Sequence, residues 1–520
     1  MLSDYLTVSA HRYPFKTAII TEMERIDYCT LLSLAGKFST AAASAGLQPG
    51  DRVIIYADNS IGYVVSYFGI LLSGGVVVGQ STGNKERHIR NIINHCQAVG
   101  VVTSGTHLHT VLNVADECPS LKFIFYDGQF SHMPALKGIA WREMLDIYVN
   151  EAANLNQTDC ARKEEDLAQI IYTSGTTGNP KGVMLSHKNL RANTESIVEY
   201  LGLVALDRVM AVLPFYYSYG NSLLLTHIAC GGSIVIDNRF AYPQKVLERM
   251  SEEKVTGFSG VPSTFAILVH KAGLKDFDLS SLRYITQAGG PMSPALASEL
   301  RGALPQAKIY IMYGQTEASA RLSYLEPEML SQKSGSIGKA IPGVTLTVKN
   351  KKGDRVKKGE VGEIIATGDN IMTGYWDNPD ESAQVLKEDG LHTGDLATVD
   401  DEGFIYIVSR ASDMIKSGAH RISPKEIEEL IMEDSRVHEV AVVGEPDELL
   451  GENIVAVVVT RPSEQLTEKD VIRLCRKHLP LYKIPKRVEF HESLPKTPSG
   501  KIKKDVLRRR LLEARGKEKI

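Results

Sequence analysis

The sequence predicts an α/β protein with a large N-terminal domain built on parallel sheets and a small C-terminal α+β domain. The chain has 520 residues, which is too many for one hydrophobic core, so at least two domains are expected. From residue 167, short apolar runs alternate with segments of helical spacing, which is typical of a parallel sheet covered on both faces. From about residue 414, two apolar strands and an amphipathic helix indicate the smaller unit.

The N-terminal part of the chain mixes helical and strand periods. Apolar spacing over 28–45 predicts an amphipathic helix, and 51–56 predicts a short strand after a turn. The stretch 69–78 is typical of a helix end, a glycine break and another strand. The polar, broken stretch 150–166 predicts a linker ahead of the next domain segment.

The central part predicts strands that alternate with helices. The predicted strands are 209–213, 233–236, 255–258, 284–286 and 308–312, and the predicted helices are 243–254, 262–271 and 294–304. Pro262 occupies the first position of its helix, where proline is favoured. Because parallel sheets bind ligands at the carboxyl ends of their strands, residues that follow these strands are candidate site residues.

Two apolar runs flank a loop of hydroxyls, glycines and one lysine, which has the order Thr173-Ser-Gly-Thr-Thr-Gly-Asn-Pro-Lys181. Glycines let backbone N–H groups approach an anion, hydroxyls are neutral donors, and the lysine adds a mobile charge. The common order Gly-x-x-x-x-Gly-Lys-[Ser/Thr] is absent. The loop predicts a phosphate-binding site of another kind, and the alternative is a flexible surface hairpin.

Three further motifs carry chemistry. In the first, Gly289 and Gly290 follow a strand, and their backbone can lie flat against a planar base. In the second, Tyr313-Gly-Gln-Thr-Glu317, the tyrosine can stack on a purine, the threonine can donate to phosphate, and the glutamate is a hard ligand of the kind Mg²⁺ requires. In the third, Asp395 can accept two hydrogen bonds from a ribose diol. The structural alternatives are an ordinary turn, a satisfied glutamate and an aspartate that caps a turn.

These motifs resemble those of the adenylate-forming enzymes, the superfamily of acyl-CoA synthetases, peptide-synthetase adenylation domains and luciferases. The resemblance extends to Ser499-Gly-Lys501 near the C-terminus, where the family has a catalytic lysine. It implies an ATP-dependent ligase that uses Mg²⁺ to activate a carboxylic acid as acyl-AMP and releases pyrophosphate. The acyl group would then pass to CoA or to the phosphopantetheine thiol of an acyl or peptidyl carrier protein.

The resemblance also implies roles for individual residues. The implied catalytic residues are Lys501, Thr176 and Glu317, and Glu317 is also the implied metal ligand. The implied nucleotide-binding residues are Thr173, Ser174, Gly175, Thr176, Thr177, Gly178, Lys181, Gly289, Gly290, Tyr313, Gly314, Gln315, Thr316, Asp395, Arg410 and Lys501.

The resemblance also implies which residues form the acid pocket: Tyr216, Tyr217, Phe258, Ser259, Gln287, Met312 and Gly314. Tyr217 stands where the family usually has histidine, and no aspartate is present nearby to hold an α-ammonium group, which argues against an ordinary α-amino acid. Gly314 stands where acetate-specific relatives have tryptophan, so we expect a deeper and mostly apolar pocket.

The same resemblance divides the chain into an ATP- and acid-binding domain (1–409), a hinge (410–413) and a mobile lysine-bearing domain (414–520). The family usually has aspartate or lysine where Ser412 stands, followed by the usual Asp413, and we predict the hinge at these two residues. Two further family segments, 362–368 and 374–376, are interpreted as turns of a β-rich subdomain with a structural role.

Composition narrows the environment. A formal net charge of −3 argues against a general nucleic-acid binder. The six cysteines form no Cys-x-x-Cys pair, which favours a reducing compartment, and no signal peptide or apolar run of membrane-spanning length is recognised. We therefore expect a cytoplasmic protein. The basic tail from Lys496 is either a solvated surface or a docking site for CoA phosphates or an acidic carrier.

Two rival functions stay open from the sequence. One is an adenylate-forming enzyme with an amine acceptor or an amino-acid substrate. The other is a nucleotide-binding pseudoenzyme without catalysis, against which the presence of Lys501, Glu317 and the complete phosphate loop argues.

Overall fold

A computed structural model describes residues 1–128, 138–153, 162–174, 180–410, 413–417, 420–447, 451–462, 464–497 and 502–518. The chain divides into two compact units. The first comprises Met1–Gln332, Ala340–Thr345 and Ala366–Leu391, and the second comprises Lys333–Lys339, Leu346–Ile365 and His392–Ile520. The predicted domain boundaries at 409 and 414 stay a prediction.

The α-helices are α1 (Ser3–Arg12), α2 (Tyr28–Ser44), α3 (Ile61–Leu72), α4 (Glu86–Cys96), α5 (Gly105–Ala115), α6 (Met144–Asn150), α7 (His187–Leu201), α8 (Ser218–Cys230), α9 (Pro243–Glu252), α10 (Pro262–His270), α11 (Pro294–Ala303), α12 (Pro379–Val385), α13 (Pro424–Met432), α14 (Glu468–His478) and α15 (Lys504–Glu518). None of the helices in the described ranges combines the length and the apolar character needed to cross a lipid bilayer.

The first strands are β1 (Thr17–Ile20), β2 (Arg25–Asp27), β3 (Arg52–Tyr56), β4 (Val76–Gly79), β5 (Gly100–Ser104), β6 (Phe123–Asp127), β7 (Ala140–Glu143), β8 (Leu167–Ser174), β9 (Pro180–Ser186), β10 (Arg208–Ala211), β11 (Ser233–Ile236), β12 (Gly257–Gly260), β13 (Tyr284–Gln287) and β14 (Lys308–Tyr313). The others are β15 (Ser323–Leu325), β16 (Lys339–Ala340), β17 (Val344–Lys349), β18 (Gly362–Gly368), β19 (Gly374–Tyr375), β20 (Leu386–Lys387), β21 (Gly390–Val399), β22 (Ile405–Arg410), β23 (Ile415–Ser417), β24 (His420–Ile422), β25 (Val437–Asp447), β26 (Gly451–Thr460) and β27 (Arg487–Phe490).

A nine-stranded sheet in the first unit has the order β16-β15-β14-β13-β12-β10-β11-β1-β2. Its inner strands, from β14 to β1, are parallel, and β15 and β2 pair antiparallel at its sides. The inner strands are short and almost wholly buried because helices cover both faces. The carboxyl ends of β12, β13 and β14 therefore lie side by side at one edge.

The eight-stranded sheet has the order β19-β9-β8-β4-β3-β5-β6-β7. Strands β4, β3, β5 and β6 are parallel, and β8 joins β4 in parallel. Strand β9 then returns antiparallel beside β8, so the two apolar runs that flank the predicted phosphate loop are neighbouring strands. A core of aliphatic side chains from β3 to β6 and from α4 and α5 supports this sheet.

The second unit contains a sheet of order β24-β23-β26-β25, with β27 beside β26. Side chains alternate along β25 and β26, so Val442 and Val458 pack with α13 and α14, whereas Val443 and Val457 pack with α15. Burial on both faces explains why these strands are continuous apolar runs. A further five-stranded sheet has the order β17-β18-β21-β20, with β22 beside β21.

The predicted α/β class with a smaller sheet domain is confirmed, and two local predictions are wrong. The strand expected at 255 begins at Gly257, because the amide of Val255 donates to Met250 O and belongs to the end of α9. The segment 362–368 is a strand, and Gly374 and Tyr375 form a strand that pairs with β9, so neither segment is a turn.

Candidate active site

The strands β8 and β9 carry three of the predicted phosphate ligands, Thr173, Ser174 and Lys181. Thr173 is paired with Lys181, and Ser174 with Pro180, across the antiparallel ladder. Directly opposed residues of an antiparallel pair point to the same face, so Thr173 and Lys181 lie next to each other. Four predicted residues of the loop, Gly175, Thr176, Thr177 and Gly178, lie outside the described residues.

Lys181 and Glu317 meet on either side of one aromatic residue, Tyr375. The Lys181 ammonium lies 5.2 Å from the centre of the Tyr375 ring, and the Tyr375 hydroxyl donates to Glu317 Oε1 at 2.9 Å. The same ammonium forms an ion pair with Glu381 at 2.5 Å. We call Lys181, Glu317, Tyr375 and Glu381 the phosphate cluster. Two predicted site residues from distant motifs are thus brought together.

Tyr375 and Glu381 are not among the site residues that the sequence predicts. The motif Gly374-Tyr-Trp376 predicts only a structural role, although its tyrosine contacts the predicted metal ligand. Strand β19 places Tyr375 beside β9, whose Lys181 begins the return from the phosphate loop. Glu381 follows in the first turn of α12, and its charge gave no signal among the many acidic residues of the chain.

The loop after β14 holds Glu317 in place. The residues Thr316–Ala318 form one turn of 3-10 helix, and the amide of Met372 donates to Glu317 O at 2.9 Å. The Thr316 hydroxyl lies 3.3 Å from that of Ser218 at the start of α8. A Cβ atom on Gly314 would lie 2.1 Å from Ala320 O, so this backbone admits only glycine there. Gly314 is therefore required by packing, whatever the depth of the pocket.

A buried asparagine holds the segment that carries Tyr216 and Tyr217. Asn59 accepts from the amide of Phe215 at 2.8 Å and donates to Leu213 O at 2.9 Å. These two bonds imitate a strand pairing and fix the backbone direction before α8. The rings of Tyr216 and Tyr217 meet edge to face at 4.7 Å. Burial raises the pKa of the Tyr217 hydroxyl, which keeps it neutral.

The ends of β12 and β13 contribute buried hydroxyls. Ser259 and Thr286 lie 2.6 Å apart through their hydroxyl oxygens, and the Tyr219 hydroxyl donates to Thr286 O at 2.8 Å. We call these three residues the hydroxyl cluster. Ser259 is fully buried and Thr286 nearly so.

Of the other predicted pocket residues, Met312 packs near the hydroxyl cluster and Phe258 packs away from it. Met312 belongs to the same apolar group as Tyr284 and has Tyr219 beside that group. Phe258 packs edge to face on Phe265 in the core under α10 and α11. The reason is strand alternation, which turns Phe258 to the face opposite Ser259.

Gln287 and the two glycines after β13 form a tight turn. The side-chain Nε2 of Gln287 donates to Gly290 O at 2.8 Å, and Gly289 has a φ of +83°. The side-chain oxygen of Gln287 is buried and has no hydrogen-bond partner among the residues that the structure describes. Tyr313 ends β14 at the neighbouring position along the sheet edge. The turn therefore presents one unused buried acceptor.

In the second unit, Asp395 and Arg410 are partners. They are paired across β21 and β22, and Arg410 Nε donates to Asp395 Oδ1 at 3.1 Å. The Thr393 hydroxyl accepts from the Asp395 amide at 3.1 Å. The carboxylate is almost buried, whereas the arginine side chain is 42% exposed. The amide of Asp413 donates to Arg410 O, and the predicted Ser412 and Lys501 lie outside the described residues.

Comparisons with known proteins agree over nearly the whole chain. The family model described as AMP-binding enzyme matches residues 6–376, and that of the AMP-binding enzyme C-terminal domain matches 426–501. A long-chain-fatty-acid–CoA ligase of Bacillus subtilis (strain 168) is 32% identical, with 98% of this chain and 94% of the relative covered.

Two solved structures are also similar to this chain over nearly its whole length. The anthranilate CoA ligase AuaEII in complex with anthranoyl-AMP has a TM-score of 0.88 and 26% identity, over 98% of this chain and 96% of that one. ATP-bound MatB from Rhodopseudomonas palustris has a TM-score of 0.86 and 27% identity, over 98% of this chain and 99% of that one.

Proposed function

This chain belongs to the AMP-binding enzyme family, and from that membership we propose that it is an AMP-forming acid–CoA ligase. The first half-reaction joins a carboxylic acid to the α-phosphorus of ATP, which forms acyl-AMP and releases pyrophosphate. The second transfers the acyl group to the thiol of CoA and releases AMP. Adenylation is needed because hydroxide is a poor leaving group and AMP is a good one.

The observation that carries this proposal is the meeting of Lys181 and Glu317 at Tyr375. Phosphoryl transfer needs mainly positioning and charge neutralisation, so a cation and a metal ligand must lie beside the same phosphates. We assign Thr173, Ser174 and Lys181 to the β- and γ-phosphates. Tyr375 orients the Glu317 carboxylate through its hydroxyl.

The residues present fit Mg²⁺ that is held mainly by the nucleotide. Within the described ranges, no group of three or more His, Cys, Asp or Glu side chains is arranged to hold a metal. Mg²⁺ usually takes one or two carboxylates and completes its shell with water and substrate phosphates. Glu317 would supply the carboxylate, and the ion would offset the charge on the departing pyrophosphate.

Lys181 must exchange partners when ATP binds. Its ammonium is paired with Glu381, and the side chains of both residues are less than one-quarter exposed. A triphosphate carries more negative charge than one carboxylate and therefore displaces Glu381 from the lysine. Glu381 keeps the ammonium near the Tyr375 ring until the nucleotide arrives.

The other predicted nucleotide-binding residues keep in this proposal the roles that the resemblance implies. Gly289, Gly290 and Tyr313 are assigned to the base, and Asp395, which pairs with Arg410, is assigned to the ribose diol. Lys501 bridges the acid carboxylate and the α-phosphate. Rotation at Ser412 and Asp413 then moves the lysine-bearing domain and admits the thiol.

CoA is the proposed acceptor. The relatives reported above include a protein named as a CoA ligase, and the solved neighbours include one in complex with its acyl-AMP. A carrier-protein thiol and a cytoplasmic location stay predictions from the sequence. An amine acceptor has no observation in its favour.

The test is acid-dependent exchange of pyrophosphate into ATP, followed by AMP release on addition of CoA. A panel of carboxylic acids is assayed with the full-length chain, with and without Mg²⁺. We expect exchange with at least one acid, and AMP release with CoA but not with amines. ATP binding without exchange for any acid would favour the pseudoenzyme. Exchange that ends in an amide with an amine would favour the amine acceptor.

A further inference from the structure

Arg321 is a buried cation with weak partners. Arg321 comes directly after the loop that carries Glu317, and the residue is 2% exposed. Its Nε lies 3.3 Å from Met312 Sδ, and its two terminal nitrogens lie 3.4 Å from Ala320 O and Ser222 Oγ. The guanidinium also lies 4.0 Å from the centre of the Tyr219 ring. All of these partners are neutral, and the two hydrogen bonds to oxygen are long.

A second buried arginine shows what is unusual here. Arg249 is 9% exposed, and its Nε lies 3.6 Å from the carboxylate of Glu253, four residues along the same segment. Arg321 forms no ion pair in the part of the chain that the structure describes. Burying an arginine without an anion is costly, since five N–H donors and a full charge leave water together. An anion that binds beside Arg321 from outside would offset this cost.

The position of Arg321 identifies the site of that anion. Its guanidinium contacts Met312 and stacks on Tyr219, and Tyr219 belongs to the hydroxyl cluster. Met312 and Ser259 are residues assigned to the acid pocket. Tyr219 also lies two residues after Tyr217, at the start of α8. The unpaired charge therefore faces the side chains that the acid substrate would contact.

The backbone under Arg321 is held firmly. Two buried amide side chains, those of Asn193 and Asn370, donate to Arg321 O at 3.0 and 2.9 Å. Asn370 Nδ2 also lies within reach of Ala318 O at 3.2 Å. A cation whose main chain is fixed in this way loses little entropy when it binds an anion, which favours a specific contact over a chance one.

We propose that Arg321 binds a second carboxylate at the far end of the acid, and that the enzyme activates dicarboxylic acids. This inference rests on the proposed function and gives it a substrate class. A guanidinium recognises a carboxylate with two parallel hydrogen bonds, and such charge-assisted bonds are the strong ones. A site built to hold a carboxylate rejects the analogue that lacks it, because the buried charge would stay unpaired.

The test compares matched acids: glutaric with pentanoic, suberic with octanoic, and terephthalic with benzoic acid. For each pair, kcat/KM is measured by AMP release with CoA for the wild-type enzyme and for Arg321→Met. We expect the wild type to favour the dicarboxylic member of at least one pair by about tenfold or more. Arg321→Met should abolish or reverse this ratio and leave the monocarboxylic member unchanged or improved.

Three controls make the result specific. Arg249→Met removes a buried arginine outside the pocket and should leave the ratio unchanged, and Arg321→Lys should retain part of it. ATP affinity and melting temperature report whether each variant is folded. If Arg321→Met does not fold, the inference is decided by whether the wild-type enzyme prefers the dicarboxylic acid of a pair.

Two results would contradict the inference, and they are distinguishable. Exchange with monocarboxylic acids, without preference for any dicarboxylic partner, would overturn the role of Arg321 and leave the ligase function standing. Absence of pyrophosphate exchange with every acid of both classes would contradict the proposed function and the inference together.

Discussion

The phosphate cluster and the hydroxyl cluster lie in the same unit, but their side chains differ in charge and in exposure to solvent. Lys181 and Glu381 are charged and about one-fifth exposed, whereas Ser259 and Thr286 are neutral and buried. A partly exposed ion pair contributes little to folding, but a buried hydroxyl without a partner costs about 1–3 kcal/mol. We therefore expect substitutions in the first cluster to change catalysis, and those in the second to change stability and substrate choice.

The largest expected effect in the phosphate cluster is on catalysis. Glu317→Gln should lower the rate of acyl-AMP formation about 10²- to 10³-fold, or roughly 3–4 kcal/mol, because the proposed metal loses its carboxylate. Pyrophosphate exchange measures this rate, and thermal unfolding should show little change. Tyr375→Phe is the control that keeps the carboxylate and removes only its hydrogen bond, so it should cost much less. An unchanged exchange rate for Glu317→Gln would remove the assigned role.

The next largest effect is on the free energy of unfolding and comes from His227, which is buried. Its Nδ1–H donates to Leu223 O at 2.9 Å, and the Nε2 of the neutral ring then accepts from the Tyr284 hydroxyl at 2.9 Å. Burial lowers the pKa of His227 to about 4. The neutral form is favoured in the folded state, so its contribution is complete above about pH 6.5 and is lost as the pH falls toward 4. That contribution is about 3 kcal/mol.

Urea unfolding between pH 7 and pH 4 measures this loss. His227→Gln is the matched variant, since it keeps a neutral hydrogen-bonding side chain and should have a flatter pH profile over that range. Parallel profiles for the two proteins would show that His227 is not responsible.

A smaller loss of stability is expected from the hydroxyl cluster itself. Thr286→Val keeps the shape of the side chain and leaves the Ser259 hydroxyl without its 2.6 Å partner, so unfolding should become easier by about 1–3 kcal/mol. Tyr219→Phe removes the neighbouring bond as a comparison. ATP affinity, measured by calorimetry, should be unchanged in both. A clear loss of ATP affinity would break the distinction between the clusters.

The smallest effect is expected from Glu381→Gln. Removing the carboxylate frees Lys181 for phosphate, so ATP should bind about two- to fivefold more tightly. This change corresponds to about 0.4–1 kcal/mol, as expected for a partly exposed ion pair. Lys181→Met is the opposite control and should weaken binding. Weaker ATP binding by Glu381→Gln would mean that Glu381 supports the nucleotide instead of competing with it.

Local chemistry explains which parts were predictable. The strand β11 and the helices α10 and α11 follow from spacing and turn residues within a few positions, and the structure has them with the same or nearly the same bounds. Val255 was misassigned because a residue that caps a helix and one that begins a strand can both be apolar. The spacing of residues did not indicate which face of β12 Phe258 is buried on, so the sequence predicted it to line the acid pocket.

The order of residues in the chain was sufficient to indicate the α/β class and the two apolar strands on either side of the loop rich in hydroxyls and glycines, because these depend on patterns among near neighbours. Folding decided that Tyr375 bridges Lys181 and Glu317, and that Arg321 is buried with no carboxylate partner among the residues that the structure describes. Those facts depend on pairings between strands that are far apart in the chain, and a charge reveals its missing partner only when its surroundings have been packed around it.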